Sequence, residues 1–234
     1  MYVTPTSELA TAVRENLRRA VLDKKSCWEF SEIEPSDKYR TSFKILDKNN
    51  IIMYATRVGV TYMLNNFNGP AFYHINGDKK MLFINNVAYS EFDYNRHYAI
   101  KFIKSLQLKD PTQPMVSDGV YRLKQGYLRI TTGYDNNLRL TVHKSNGDFH
   151  NDNGPAVVDY TNGQIIYYTD GVINRPVYEG PAVINRKRGG KDELEIQEEY
   201  YTKGRKLTQG ELEILRKQDK QTIQDIEDID IPDF

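Results

Sequence analysis

Four histidines and one cysteine are the side chains of this 234-residue chain that first suggest general-base, nucleophilic or metal chemistry near neutral pH. His74 follows a Gly-Pro-Ala triplet in a predicted strand. His143 falls in another strand, His150 in a turn and His97 in a helix. No pair has the His-x-x-x-His spacing that puts two imidazoles on one helical face, and no Cys and His are close in sequence. The plain reading of these is ordinary surface histidines, on strands, in a turn and, for His97, on a helix. Cys27 follows Lys24 and Lys25, whose charges would favour a thiolate, but a lone cysteine at the exit of a helix reads as a buried structural thiol. It also excludes an internal disulfide framework. Gly189-Gly190-Lys191 lacks the strand and helix of a phosphate loop and reads as a hairpin tip. No catalytic residue, metal or cofactor is expected.

The charges offer a different chemistry. Thirty-two basic and 32 acidic residues balance over the whole chain. The last ten residues hold five acids and no base, which leaves 32 bases against 27 acids elsewhere. On that mildly basic body, cations cluster in three places. Arg14, Arg18 and Arg19 lie on the first helix, Arg186, Lys187 and Arg188 at a hairpin tip, and Lys203, Arg205 and Lys206 at the last turn. Tyr167, Tyr168, Tyr200 and Tyr201 are neighbours of the last two clusters. Cations that hold phosphates beside rings that stack bases form a single-strand nucleic-acid surface. Separately solvated charges are the plainer reading of the same residues.

The elements that would position these groups follow from internal repetition. Gly69-Pro70-Ala71, Gly154-Pro155-Ala156 and Gly180-Pro181-Ala182 each precede an apolar or aromatic pair. An aromatic strand ending in a turn follows each: Leu82 to Asn86, Tyr167 to Gly171 and Tyr200 to Gly204. The spacing from the first glycine to the turn is 17 residues in the first two copies and 24 in the third. The segment from Arg186 to Asp192 supplies the extra seven as an extended hairpin. Glycine supplies a positive φ and proline fixes the next one, so these triplets serve as turns. Two copies exit into capping boxes, Ser90-Glu91-Phe92-Asp93 and Thr208-Gln209-Gly210-Glu211. The first helix behind them is expected to bury Phe92, Ala99, Phe102, Ile103 and Leu106, and the second Leu212, Leu215 and Ile223. An amphipathic helix opened by Thr6-Ser7-Glu8 places Leu9, Val13, Leu17 and Val21 inward. Turns are expected at Asp47–Asn50 and at Tyr134–Asn137.

The fold expected is α+β and mainly β: duplicated antiparallel hairpin or meander repeats, each capped by a helix, behind an N-terminal amphipathic helix. The boundaries are 1–38 for helix and connector, 39–108 for the first module, 109–118 for a two-proline linker, 119–222 for the second module and 223–234 for an acidic tail. Residues 153–175 best show the string Asn-Gly-Pro-Ala, Asn-Gly turn, paired tyrosines and Asp-Gly turn. It resembles variant MORN-type repeats of bacteriophages and large DNA viruses. Residues 68–88 and 179–207 carry it less completely. The resemblance implies β-hairpin surfaces used in scaffolding and in binding protein partners.

The C-terminal run Asp228-Ile229-Asp230-Ile231-Pro232-Asp233-Phe234 resembles the acidic tail peptide of single-stranded-DNA-binding proteins, with Asp233 inserted before the terminal Phe. That likeness implies docking by Asp228, Asp230, Ile231, Pro232 and Phe234 in a basic pocket, or competition with nucleic acid for the body. The first expectation is therefore a non-enzymatic phage or viral interaction protein. The alternative is a nucleic-acid-binding protein with a regulatory tail. No apolar run is long enough for a membrane span and no signal opens the chain, so a cytoplasmic site is expected, in the host if viral, with virion association open.

Overall fold

The computed structural model describes residues 2, 6–22, 28–37, 40–47, 50–58, 61–76, 79–116, 119–132, 138–160, 162–188 and 194–227. The chain is mainly β, with antiparallel sheets and a few helices. It divides into two compact units, residues 1–140 and 141–234. Cys27, Lys24 and Lys25, the turns at 48–49 and 133–137, Gly189-Gly190-Lys191 and the tail from Asp228 lie outside the described residues.

The first unit opens with helix α1 (Ser7–Leu22). Thr6 starts it, its Oγ1 accepting from the Leu9 N–H at 3.2 Å. Ala10, Val13, Leu17 and Ala20 recur at helical spacing and are buried against Ile45, Met53, Ala55 and Leu64 of the sheet. A fully buried Val or Leu contributes about 2 kcal/mol. That burial, more than the helix's own propensity, fixes α1 in place.

The strands of this unit are β1 (Trp28–Asp37), β2 (Arg40–Asp47), β3 (Ile51–Val58), β4 (Thr61–Leu64), β5 (Phe72–His74), β6 (Lys80–Ile84) and β7 (Val87–Tyr89). They form a sheet in the order β1-β2-β3-β5-β6-β7, with β4 also paired to β3. Alternation along β3 sends Met53 and Ala55 to the α1 face, and Ile52 and Tyr54 to the opposite face beside Val116.

Helices α2 (Glu91–Arg96) and α3 (Tyr98–Ser105) follow. Ser90 Oγ accepts from the Asp93 N–H at 3.1 Å and donates to Asp93 Oδ2 at 2.6 Å, so Ser90 caps the helix as expected, with the carboxylate reaching back to the hydroxyl. The single helix expected behind it breaks at His97. There ψ is 129°, and the imidazole Nδ1 caps α3 by accepting from the Ala99 N–H at 3.3 Å. The break resets the helical phase. Tyr94, Ala99, Ile100 and Ile103 are buried, while Phe92 is 66% exposed and packs under the Arg96 guanidinium. A period counted continuously through His97 therefore assigns the wrong face to Phe92.

Residues 109–116 are tied into the first unit. Phe67 N–H donates to Met115 O at 2.6 Å, and Val116 exchanges two hydrogen bonds with the Tyr121 hydroxyl. Strands β8 (Val120–Arg122) and β9 (Tyr127–Thr132) form a hairpin, and the unit boundary falls inside β10 (Leu138–His143).

The second unit contains β11 (Val157–Asp159), β12 (Gln164–Ile166), β13 (Tyr168–Thr169), β14 (Val172–Ile173), a 3-10 turn at Val177–Glu179, β15 (Val183–Arg188), β16 (Leu194–Glu199), β17 (Tyr201–Thr202), β18 (Arg205–Lys206) and α4 (Gln209–Glu227). Its sheet runs β16-β15-β12-β11-β10, and β13-β14 and β17-β18 are separate two-stranded ribbons. The extended hairpin expected around Arg186 is β15-β16, paired from Val183↔Glu199 to Arg188↔Leu194. Val142, Ala156, Val157, Val158, Ala182, Val183 and Leu212 are its buried apolar groups among the described residues. Among the described residues no helix is long and apolar enough to cross a membrane.

Candidate functional site

The three Gly-Pro-Ala segments are one hydrogen-bonding scheme used three times. Ala71, Ala156 and Ala182 donate their N–H groups to the following strand, at Met81 O (3.0 Å), Ile166 O (2.9 Å) and Glu199 O (2.9 Å). Their carbonyls accept from the preceding strand, from Tyr54 (2.8 Å), Val142 (2.8 Å) and Tyr167 (2.9 Å). Each alanine is fully buried, which explains the small side chain. Gly69 and Gly180 take φ of 139° and 119°, whereas Gly154 lies outside the positive-φ region.

A side chain upstream locks each turn. Asn66 Nδ2 donates to Pro70 O and Asn151 Nδ2 to Pro155 O, both at 2.9 Å, and each Oδ1 accepts the N–H of the residue two further on. In the third copy Arg175 takes this place, its Nη1 donating to Pro181 O at 3.1 Å. The signal for the asparagines was the hexapeptide Asn-x-Asn-Gly-Pro-Ala at 66–71 and 151–156. Nothing comparable announced Arg175, because the 3-10 turn lengthens that copy.

The aromatic strands end in equivalent two-residue turns. Asn85, Asp170 and Lys203 take φ of 48°, 53° and 49°, and Asn86, Gly171 and Gly204 take 66°, 76° and 80°. The N–H of the first turn residue is accepted by Asn65 Oδ1 (3.5 Å), His150 Nδ1 (3.1 Å) and Asn174 Oδ1 (3.0 Å). Asn86 thus takes the backbone conformation that its glycine counterparts have.

The cations and tyrosines are largely engaged with their own unit. Arg14 Nε donates to Asn86 O at 3.0 Å, and Arg18 and Arg19 flank Glu15 on α1. Arg205 Nη1 lies 2.7 Å from Glu211 and Lys206 Nζ 2.9 Å from Glu199. The Glu199 carboxyl is held below its usual range, chiefly by the Lys206 hydrogen bond. The Arg175 guanidinium covers Tyr167 at 3.9 Å and Arg216 covers Tyr200 at 5.0 Å. Tyr168 packs on Phe149, and the Tyr201 hydroxyl donates to Glu199. Arg186 and Lys203 are exposed, and the Lys187 and Arg188 side chains lie outside the described residues. Faces occupied by guanidinium groups are not open to bases.

The histidines are dispersed. His74 lies edge-on to Phe72, His97 caps α3, His143 bonds Thr141 and Gly147, and His150 sits at the Asp170 turn. Burial lowers the His97 pKa. Among the described residues no three His, Cys, Asp or Glu groups are arranged to hold a metal ion.

A cleft of about 210 Å³ in the first unit is lined by Tyr2, Phe67, Gly69, Leu82, Glu91 and Tyr94, among others. Tyr94 joins α2 to the first Gly-Pro-Ala turn, donating to Asn66 O at 2.8 Å and accepting from the Gly69 N–H at 3.1 Å. Lys104 at the rim donates to Asn95. The cleft falls short of the volume of ordinary small-molecule pockets, and its Tyr94 and Lys104 already have partners. The chain matches no family model, and no curated protein or solved structure is similar to it.

Proposed function

We propose that this chain is a non-enzymatic interaction protein of the variant MORN type, with duplicated β-hairpin modules, each closed by a helix, that present their surfaces to protein partners. Phage or viral origin, and work in the host cytoplasm, belong to the same reading. The observation that carries it is the threefold hydrogen-bonding scheme at Ala71, Ala156 and Ala182, which invests turn residues in geometry. The capping residues Ser90 and Thr208 each stand four residues beyond an equivalent turn position, Asn86 and Gly204, which supports helix-closed modules. Exposed apolar side chains in the second unit, Tyr178 at 70% and Ile214 at 59%, suit a protein contact.

The test compares capture of partners from the native source by the full chain and by a Tyr178→Glu, Ile214→Glu double variant. Partners held by the first and lost by the second support the reading. A parallel salt titration with single-stranded DNA and RNA, on the full chain and on one lacking residues 225–234, tests the alternative. Binding that weakens steeply with salt would transfer the function to nucleic acid through exposed basic residues such as Arg186 and Lys203.

A further inference from the structure

We propose that β16 is a self-association edge, at which two copies of this chain pair antiparallel about Ile196. The ends of the sheets differ in what bars such pairing. β1 carries Pro35, and its register shifts between Ile33 and Asp37. β7 and β8 are three residues long, and the Arg122 carbonyl of β8 already accepts from Lys109 N–H at 2.9 Å. β16 ends its sheet with six residues, Leu194–Glu199, that pair with β15 in one unbroken register and include no proline. Proline, irregular register, brevity and a covering chain are devices that keep a sheet edge from pairing with another strand. Among the described residues β16 shows none of them, and Glu195, Ile196, Gln197 and Glu198 are all exposed.

The direction of its main-chain groups follows from β15. Arg186 N–H donates to Gly163 O at 2.8 Å, on the β12 side. Main-chain groups alternate sides along a strand, so Ile184 and Arg186 face β12, while Asn185 and Lys187 face β16. The pairs Asn185↔Gln197 and Lys187↔Glu195 therefore carry the hydrogen bonds of the β15-β16 ladder. Ile196, opposite Arg186, and Glu198, opposite Ile184, turn their N–H and C=O groups to the outer edge, as does Leu194. Among the described residues no main chain bonds them there.

Charge selects the register. Carboxylates directly opposite one another weaken strand pairing. Two-fold pairing centred on Glu195 or Glu198 sets that residue against itself, and pairing centred on Gln197 sets Glu195 against Glu199. Centred on Ile196, two copies place Ile196 against Ile196, Glu195 against Gln197 and Leu194 against Glu198, so no two carboxylates are opposed in 194–198. The Gln197 amide, which donates to Glu195 Oε1 at 3.0 Å on its own chain, then stands across from the same acceptor on the second copy. The outward groups at Leu194, Ile196 and Glu198 bond reciprocally, and the Ile196 side chains, 52% exposed in one copy, meet at the axis. Glu199 falls beyond this run, where Lys206 holds it at 2.9 Å. Such a contact uses one strand twice and closes at the dimer. It involves neither Tyr178 nor Ile214, so it stands or falls apart from the partner surface proposed above.

The experiment is sedimentation of the full chain from about 10 to about 500 µM, with residue-resolved amide exchange at both ends of that range, since a contact this small gives a weak dimer. Ile196 and Glu198 amides should exchange freely in the dilute chain and become protected in the concentrated one, while Gln197, bonded within the chain, is protected in both. Gln197→Lys sets an ammonium opposite Glu195 of the second copy, twice by symmetry, and should tighten the dimer about fivefold, whereas Gln197→Glu should loosen it by a similar factor. Circular dichroism checks that both variants keep the fold. A monomer throughout that range would overturn the proposal and leave the edge to a strand from another protein. A dimer without new protection at Ile196 and Glu198, or one that Gln197→Lys does not tighten relative to Gln197→Glu, would overturn it as well.

Discussion

Asn66 Oδ1 lies 2.9 Å from the main-chain nitrogen of Met115, 49 residues further along the chain. The same oxygen accepts from Asn68 N–H at 3.0 Å, and Nδ2 donates to Pro70 O at 2.9 Å. One buried amide thus holds a turn and the segment that follows the helices. Among the described residues, its counterpart Asn151 makes the two turn bonds without a third like that to Met115, and it is less buried.

The difference sets a ranking. Asn66→Ala strands the buried Met115 N–H together with the half-buried Asn68 N–H and Pro70 carbonyl, at a cost of about 3 kcal/mol, whereas Asn151→Ala costs about 1 kcal/mol because water reaches that turn. Urea denaturation followed by circular dichroism should separate the two. Equal losses would show that the Met115 bond contributes nothing.

Gly163 takes φ of 61°, and a Cβ there would lie 2.1 Å from Arg186 O. The obstacle is main chain, on the carbonyl side of the strand whose Arg186 N–H donates to Gly163 O at 2.8 Å. Gly163→Ala must push β12 from β15, with an expected loss of about 3 kcal/mol. At Gly154 the φ is ordinary, and the nearest atom to a Cβ is Asn151 Nδ2 at 3.5 Å, a normal contact. Gly154→Ala should stay within about 0.5 kcal/mol of the parent. The same denaturation series checks both, and comparable losses would refute the steric argument.

Glu211 is an acid-sensitive residue at the start of α4. Its carboxylate accepts from the Thr208 N–H at 2.9 Å, from the Thr208 hydroxyl, and from Arg205, and these hold its pKa at about 2 against an ordinary 4.5. Because the folded value is the lower one, its contribution is complete above pH 4.5 and disappears as the pH falls towards 2. Helical ellipticity should therefore decline through that window, and Glu211→Gln should remove part of the decline. An unchanged acid profile in the variant would assign the loss to other carboxylates.

The periodic parts of the fold were legible in the sequence and the exceptions were not. Val13 and Leu17 fall on the inward stripe of α1, and Ser90 and Thr208 stand at their capping boxes, because each depends on neighbours within a turn or two. Phe92 was misassigned because His97 interrupts the helix, and no glycine or proline stands there to mark a helix end. The cation–tyrosine surface was drawn from residue types alone. Whether a guanidinium is free depends on partners such as Glu211 for Arg205 and the Tyr167 ring for Arg175, which the chain's folding decides. The roles of Asn66 and Asn151 were written in a repeated hexapeptide, but Arg175 shares only their function at the turn.

Arg175 gives the strictest test of that shared function. Its guanidinium stacks on Tyr167, reaches Pro181 O at 3.1 Å, and has Nε 3.8 Å from Glu179 while its side chain is 18% exposed. In the other copies the asparagine stands four residues before the proline whose carbonyl it binds, but here six residues separate the partners, around the Val177–Glu179 turn. A short amide cannot span the longer path. Arg175→Asn is therefore expected to lose about 2 kcal/mol, as much as Arg175→Ala, despite restoring the residue type of the first two copies. Arg175→Lys should recover less than half, since an ammonium reaches the carbonyl without the planar stack on Tyr167. Full recovery by asparagine would mean that the residue type, and not the reach of the side chain, sets the third turn.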